Sequence, residues 1–200
     1  MIESRLLQSG LSKIAGVDEA GRGACAGPLV VAAVMLKDIN DVKLAKVRDS
    51  KELKPSLREE LFEVIVEQAL DYSIIEIPAS EIDAIGLHKA NLEGMRRAIN
   101  ALEIEPEYVL TDGYQISGLR CESLAIWKGD QVAISISAAS ILAKVYRDRI
   151  MVKLDVLHPG YHFAEHKGYV TRAHERSLSE LGVTTIHRKS YANIQALINK

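Results

Sequence analysis

Cysteine is scarce in this chain of 200 residues, with only Cys25 and Cys121. Two thiols so far apart exclude a disulfide framework and a zinc knuckle, and they point to a reducing, cytoplasmic setting. No apolar run is long enough to span a bilayer, and Met1 to Gly10 lacks the basic start and apolar block of a signal peptide. Internal repeats, low-complexity tracts and linkers rich in Pro, Gly or Ser are also missing. The chain therefore reads as one globular domain with at most a small appendage, and 48% hydrophobic residues supply a sizeable core.

Net charge is the next thing in short supply, at −2. That total hides an asymmetry. Residues 1–127 carry 14 Lys and Arg against 21 Asp and Glu, a balance of −7, whereas residues 128–200 carry 11 against 6, a balance of +5, with five of the six histidines. Such a division is compatible with a basic surface for a polyanion and equally with ordinary solvated helix faces. Charge alone does not choose.

Periodicity gives the organisation. Ile14–Val17 reads as a strand, and the apolar run Ala26–Leu36 as a hairpin-like return after a glycine turn. Pro55 opens an amphipathic helix to Ala69. Asp71–Ile77 reads as a strand, and Ser80–Ala101 as one long helix capped by Ser80. Short strands follow at Tyr108–Thr111 and Leu124–Trp127, then a helix over Ile134–Leu157, then one or two shorter helices after about Thr171 with an irregular Thr184–Ser190 segment. Antiparallel strands first, then strands alternating with helices, indicate an α/β fold with a mixed sheet.

The most informative stretch is Ile14-Ala15-Gly16-Val17-Asp18-Glu19-Ala20-Gly21-Arg22-Gly23. An apolar strand ends in adjacent carboxylates, and a Gly-Arg-Gly turn follows. Neighbouring side chains on a strand point to opposite faces, so convergence of Asp18 and Glu19 on one pocket requires the strand to fray there. Asp112 and Asp130 repeat the pattern of an acid at a strand end or helix entrance, each joined to a glycine (Gly113, Gly129). Four acids at one sheet edge repel unless cations hold them, and hard oxygen ligands suit Mg2+ or Mn2+. The alternative for each is a turn or strand-end residue. Other sites fail physically. Gly21-x-Gly23-x-x-x-Gly27 is one residue too long for a dinucleotide fingerprint and leads into Pro28 rather than a helix. Pro159-Gly160 interrupts the helix that His158, His162 and His166 would need to bind zinc. Ser140 and Lys144 are too far apart for a Ser-x-x-Lys pair, and neither a Gly-x-Ser-x-Gly elbow nor a P-loop is present.

With these residues in view, the chain resembles the type 2 ribonucleases H, specifically bacterial-type ribonuclease HII. The matching segments are GVDEAGRG (16–23), AGPLVVAAV (26–34), DSKELKPSLREEL (49–61), TDG (111–113), KGD (128–130), SAASILAKVYRDR (137–149), HPGYHFAEHKGYVT (158–171) and IHRKSY (186–191). The resemblance implies a ribonuclease H-like five-stranded mixed sheet flanked by helices over residues 1–170, with a small C-terminal helical part, 171–200, packed on it. It implies a metal-dependent endoribonuclease that cuts RNA in RNA–DNA hybrids and nicks on the 5′ side of single ribonucleotides in duplex DNA, leaving 3′-hydroxyl and 5′-phosphate ends. On the family pattern Asp18, Glu19, Asp112 and Asp130 are the catalytic acids and ligands of two Mg2+ or Mn2+ ions. Gly21, Arg22 and Gly23 match the backbone that lies against the ribose 2′-hydroxyl, where a Cβ would hold the sugar off. Tyr169 matches the tyrosine that stacks on the neighbouring sugar, with Tyr161 its nearest rival. Lys51, Lys144 and Lys167 are candidate phosphate contacts, and Arg147 with Asp148 a helix ion pair or structural anchor.

Ala24-Cys25 departs from the proline or larger apolar residue that relatives carry after the turn, which bears on the rigidity of that loop. Ribonuclease HIII usually carries an extra N-terminal substrate-binding domain, and 13 residues before Ile14 are too few for one. A binding module with a dead nuclease core is the rival of another class, and the four acids argue against it. The tail Gln195-Ala196-Leu197-Ile198 lacks the aromatic end of a sliding-clamp peptide and reads as a helix end, so no clamp interaction is expected. A cytoplasmic monomer is the expected state.

Overall fold

The computed structural model describes residues 2–199. Strands β1 (Ile14–Ala20), β2 (Leu29–Leu36) and β3 (Ala69–Ile77) form an antiparallel meander. Strands β4 (Tyr108–Asp112) and β5 (Glu122–Ile126) extend it in parallel from the other side of β1, giving a five-stranded mixed sheet in the order β3-β2-β1-β4-β5. The helices are α1 (Ile2–Gln8), α2 (Pro55–Gln68), α3 (Ala79–Ile85), α4 (Leu87–Asn100), α5 (Ile134–Leu157), α6 (Phe163–His166), α7 (Arg172–Leu181) and α8 (Ala192–Ile198). Among the described residues no helix is long and apolar enough to cross a membrane.

Strand β2 shows why the sheet lies at the centre. All of its residues are buried, and its side chains alternate between two cores. Val30, Ala32, Val34 and Leu36 pack with α2 and α5, while Leu29, Val31, Ala33 and Met35 pack with α3 and α4. Gly16 fixes how closely α5 approaches β1. A Cβ there would sit 2.1 Å from the Ser135 carbonyl carbon and 2.3 Å from the Ile136 nitrogen, so only glycine lets the first turn of α5 lie against the strand that carries Asp18 and Glu19. That turn has no side-chain cap of its own. Glu3 of α1 supplies one, because its Oε1 accepts from the Ser135 N–H (3.0 Å) and hydroxyl (2.9 Å). A carboxylate suits the positive end of a helix.

Three departures from the sequence reading have physical causes. The long helix over Ser80–Ala101 is two helices, because Gly86 takes φ +84° and both ends α3 and starts α4. Pro78, not Ser80, stands at the N-terminal boundary of α3. Strand β1 does not fray at its acids. Pairing with β2 continues to Ala20↔Val30, whereas pairing with β4 stops at Val17↔Thr111. From Asp18 onward the β4 side of β1 is unpaired, and this notch is where the acids sit.

Candidate active site

Since β1 stays regular, Asp18 and Glu19 point to opposite faces, and each meets a different helix. Ser140 of α5 lies against Asp18, and Asn91 of α4 against Glu19. Asp112 ends β4, and its Oδ1 accepts the Gly129 N–H at 2.7 Å, which draws the next acid, Asp130, to the same notch. Gly129 is required here for packing, since a Cβ would lie 2.5 Å from Ile136 Cδ1. Asp130 is buried in a short 3-10 turn, Gly129–Gln131.

Burial, then Glu19, then Asp112 push the Asp18 carboxyl well above the usual range. Burial lifts Glu19 to about 7 despite the neighbouring Arg22 guanidinium. Burial, Asp49 and Asp112 raise Asp130. Glu19 Oε2 is buried without a hydrogen-bond partner. Among the described residues no three His, Cys, Asp or Glu side chains close into a joint metal-ligating arrangement. Hard oxygen donors, mutual repulsion and an orphaned carboxylate oxygen together fit a divalent cation of the Mg2+ or Mn2+ kind.

One cation already faces these acids. Lys51 Nζ lies 3.6 Å from Asp130 Oδ2. Burial pulls its ammonium down, yet Asp130, Asp49, Asp18 and Asp112 together hold it above the usual range. Lys144 and Lys167 are elsewhere. Lys144 donates to Asp148 at 2.8 Å, Lys167 donates to the Ala164 carbonyl, and both line a second cleft with Arg58 and Arg149. The expected ion pair of Arg147 with Asp148 is not formed. Asp148 pairs with Lys144 and with Arg58 (3.8 Å), and Arg147 is a buried anchor.

That anchor organises the turn after β1. Arg147 Nε donates to the Pro28 carbonyl (2.9 Å), and its two terminal nitrogens to Lys167 (2.9 Å) and Ala26 (3.0 Å). A second buried arginine, Arg188, donates to the carbonyls of Gly27 and Arg22, both at 3.1 Å. Tyr191 hydroxyl also donates to Arg22 O at 2.7 Å. Gly21 takes φ +90°, and a Cβ there would strike the Arg147 side chain at 1.9 Å. Room for the arginine is therefore sufficient reason for this glycine, in addition to the sugar contact that the resemblance implies. Gly23 is the open one, its nearest neighbour being Tyr169 Cε1 at 3.8 Å from a Cβ position. Tyr169 is partly exposed over Arg147, 5.5 Å from guanidinium to ring centre. Tyr161 is buried, stacked on Phe163, with its hydroxyl donating to Gly182 O, so it cannot compete for an exposed ligand. Ala24 and Cys25 are also fully buried, and the Cys25 N–H donates to Gly168 O at 2.9 Å, so this departure leaves the loop held firmly.

The family model described as Ribonuclease HII matches residues 15–194, a span that holds every residue of this notch and turn. The chain belongs to the ribonuclease HII family. A ribonuclease HII of Rhodococcus erythropolis is 54% identical over 195 residues, 98% of this chain and 86% of that one. One from Nocardia farcinica is 55% identical over 194 residues, 97% of this chain and 77% of that one. Among solved structures, ribonuclease H2 from Pyrococcus horikoshii OT3 superposes with TM-score 0.80 at 30% identity, covering 94% of this chain and 97% of that one. The ribonuclease HII in a PCNA complex from Archaeoglobus fulgidus superposes with TM-score 0.74 at 26% identity, covering 90% and 95%. The chain is accordingly a metal-dependent endoribonuclease of the ribonuclease H kind, acting on RNA–DNA hybrids.

The structure brings into this notch and turn three residues that the sequence does not single out. Asp49, the first residue of the DSKELKP segment, is buried beside Asp130 and lines the same cleft. Its proximity has no signal in the sequence, because Asp49 also serves as an ordinary turn cap, accepting the Lys51 N–H at 2.9 Å. Arg188 comes from the irregular Thr184–Ser190 segment and Tyr191 directly follows it, and both fall in the IHRKSY match.

Behind Tyr169 lie three of the ribonuclease HII chain's histidines in an ordered network. Thr184 N–H donates to His187 Nδ1 (3.0 Å), so neutral His187 carries its proton on Nε2 and donates to His174 Nε2 (3.0 Å). His174 then donates from Nδ1 to the Tyr169 carbonyl (3.0 Å). His166 stacks on His174 with ring centres 4.4 Å apart and accepts the Gly168 N–H. An added proton would set N–H against N–H. Burial, with His174 beside it, lowers His187 to about 4, and burial lowers His174 too. Unfolded histidine titrates near 6.5, so between about pH 6.5 and 4 the unfolded chain binds protons that the folded one refuses. Stability from this network is present above about 6.5 and is lost as pH falls toward 4, by about 3 kcal/mol. Unfolding free energies of parent and His187→Gln proteins, measured from pH 7 to 4, should differ in slope in that window. The comparison cancels the carboxylates, which titrate there with opposite sign. Identical slopes would refute the assignment.

Proposed function

We propose that Asp18, Glu19, Asp112 and Asp130 hold two divalent ions and that the enzyme nicks on the 5′ side of single ribonucleotides in duplex DNA as well as cutting longer hybrids. The observation that carries this reading is the crowding of buried carboxylates with raised pKa values in one notch of the sheet. The ions would supply an acidified water and a counter-charge for the departing 3′-oxygen, giving 3′-hydroxyl and 5′-phosphate ends. The protein's own groups do the rest. Asp18 and Asp130 offer buried oxygens from the α5 side, Glu19 from the α4 side, and Asp112 is fixed between them by the Gly129 N–H. Lys51, exposed at the mouth, is placed to meet the phosphate.

Choice of the cutting point falls to the turn. Gly21, Arg22 and Gly23 present backbone to the ribose 2′-hydroxyl, and Tyr169, beside Gly23, stacks on the next sugar. The two buried arginines make that surface rigid. The deciding experiment is cleavage of a duplex containing one ribonucleotide, with the product ends mapped, in Mg2+ and in Mn2+. A nick on the 5′ side of the ribonucleotide with the stated ends is expected, and cleavage confined to long hybrids would overturn the finer reading. Tyr169→Ala should lower kcat/KM on the lone-ribonucleotide duplex about tenfold or more, the size of a lost stacking contact, and cost a long hybrid only a few-fold. Equal losses on both substrates would remove Tyr169 from the choice.

A further inference from the structure

Trp127 is the only tryptophan of the chain, and it is 82% exposed. It follows the last residue of β5 directly and lines the same cleft as Glu19, Asp112 and Asp130. We propose that Trp127 is a stacking platform for a nucleobase of the hybrid held in that cleft, a binding residue beyond the acids and the Gly-Arg-Gly turn. The inference rests on the reading of the notch as the place of cutting.

The platform is pre-organised. On one side of Trp127 the Ile126 carbonyl accepts the Gly113 N–H at 2.9 Å; on the other, past Lys128, the Gly129 N–H donates to Asp112 Oδ1 at 2.7 Å. The backbone on both sides of Trp127 is thus tied to Asp112 or its neighbour, so the ring has a fixed base relative to the acids. The sheet order sets it about two strand spacings, roughly 10 Å, from β1. That places it among the neighbouring nucleotides rather than at the bond that is cut.

Its face is also free. The other aromatic of the cleft, Tyr114, already carries the Arg22 guanidinium at 4.8 Å and the tilted ring of His88 at 5.6 Å. Trp127 has no ring pair, no cation partner and no side-chain hydrogen bond among the described residues. Its cleft neighbours are charged: Arg22, Lys51, Lys128 and the acids. A lone aromatic face among cations matches a nucleotide whose base is drawn out of the duplex stack, which brings a flat base and a phosphate together. A protein partner would call for a continuous apolar patch instead.

The single tryptophan makes the test direct. Asp18→Asn protein, titrated with an RNA–DNA hybrid carrying a dye on one end, gives Trp127 emission and dye anisotropy on the same sample. Quenching of the tryptophan that follows the anisotropy curve is expected. Trp127→Ala should weaken the dissociation constant and raise KM about tenfold with kcat within about twofold, and Trp127→Phe should restore most of the loss. Abasic positions walked along the RNA strand and then along the DNA strand identify the stacked base as the one whose removal relieves the quenching. Unchanged emission on a bound hybrid, parental KM in Trp127→Ala, or quenching that no abasic position relieves would each overturn the proposal. Failure of the carboxylate reading would show separately, as cleavage of the hybrid by the Asp18→Asn protein.

Discussion

Replacing Asp18 by asparagine is expected to lower hybrid cleavage at least about a thousandfold while the protein stays folded. Asparagine fills the same space beside Ser140, so the packing of α5 against β1 is kept. What it loses is charge. The parent carboxyl is forced above its ordinary range by burial, Glu19 and Asp112, which means that its ionised form is a strain on the metal-free fold. With divalent ions chelated, the variant should therefore melt no lower than the parent and is expected to melt higher. With Mg2+ added, the parent should gain melting temperature and the variant little, because ligand binding stabilises only the state that binds. Three readings, of turnover, of melting in chelator and of the shift with Mg2+, separate a lost metal ligand from a damaged fold. Near-parental turnover in Mg2+ would show that Asp18 is not a ligand.

Much of this site is legible in the sequence because it lies where one periodicity gives way to another. The Ile14–Val17 run, the acids and the glycine turn sit in line, and the helix over Ile134–Leu157 has in the structure the bounds its pattern gives. What stayed hidden depends on contacts between distant segments. Asp18 and Glu19 alternate on a regular strand, and the notch beside which both sit comes from the early end of pairing with β4, a property of a strand ninety residues away. Asp49 has a local role as a turn cap, and nothing in its neighbouring residues shows that Asp130 lies beside it. Nothing beside Glu3 in the sequence marks it as the acceptor for the otherwise uncapped start of α5. Local chemistry and long-range use are not exclusive, and only the first is written in the neighbouring residues.

Arg147 is the sharpest instance, and its replacement by methionine should cost about 3–5 kcal/mol of stability. A buried arginine is often dispensable, because its own desolvation offsets what its partner returns. Here the guanidinium has no carboxylate partner to set against that cost. Burial lowers its pKa to about 10, so at neutral pH it remains charged, and its three donors go to the carbonyls of Pro28, Lys167 and Ala26. Methionine relieves one buried charge but strands two buried acceptors and one partly buried, each worth about 1–3 kcal/mol. The acceptors win, and the melting temperature should fall by roughly 10 °C for a chain of this length. The loss should also be selective. Arg147 lies beneath Gly21 and behind the Tyr169 ring, so freeing the loops that hold them should lower cleavage at a lone ribonucleotide more than cleavage of a long hybrid, the same direction expected of Tyr169→Ala. Arg147→Lys should not rescue it, because one ammonium cannot span three carbonyls in the geometry of a planar fork. A melting temperature within about a degree of the parent, with the substrate ratio unchanged, would show that the turn holds its shape without the arginine.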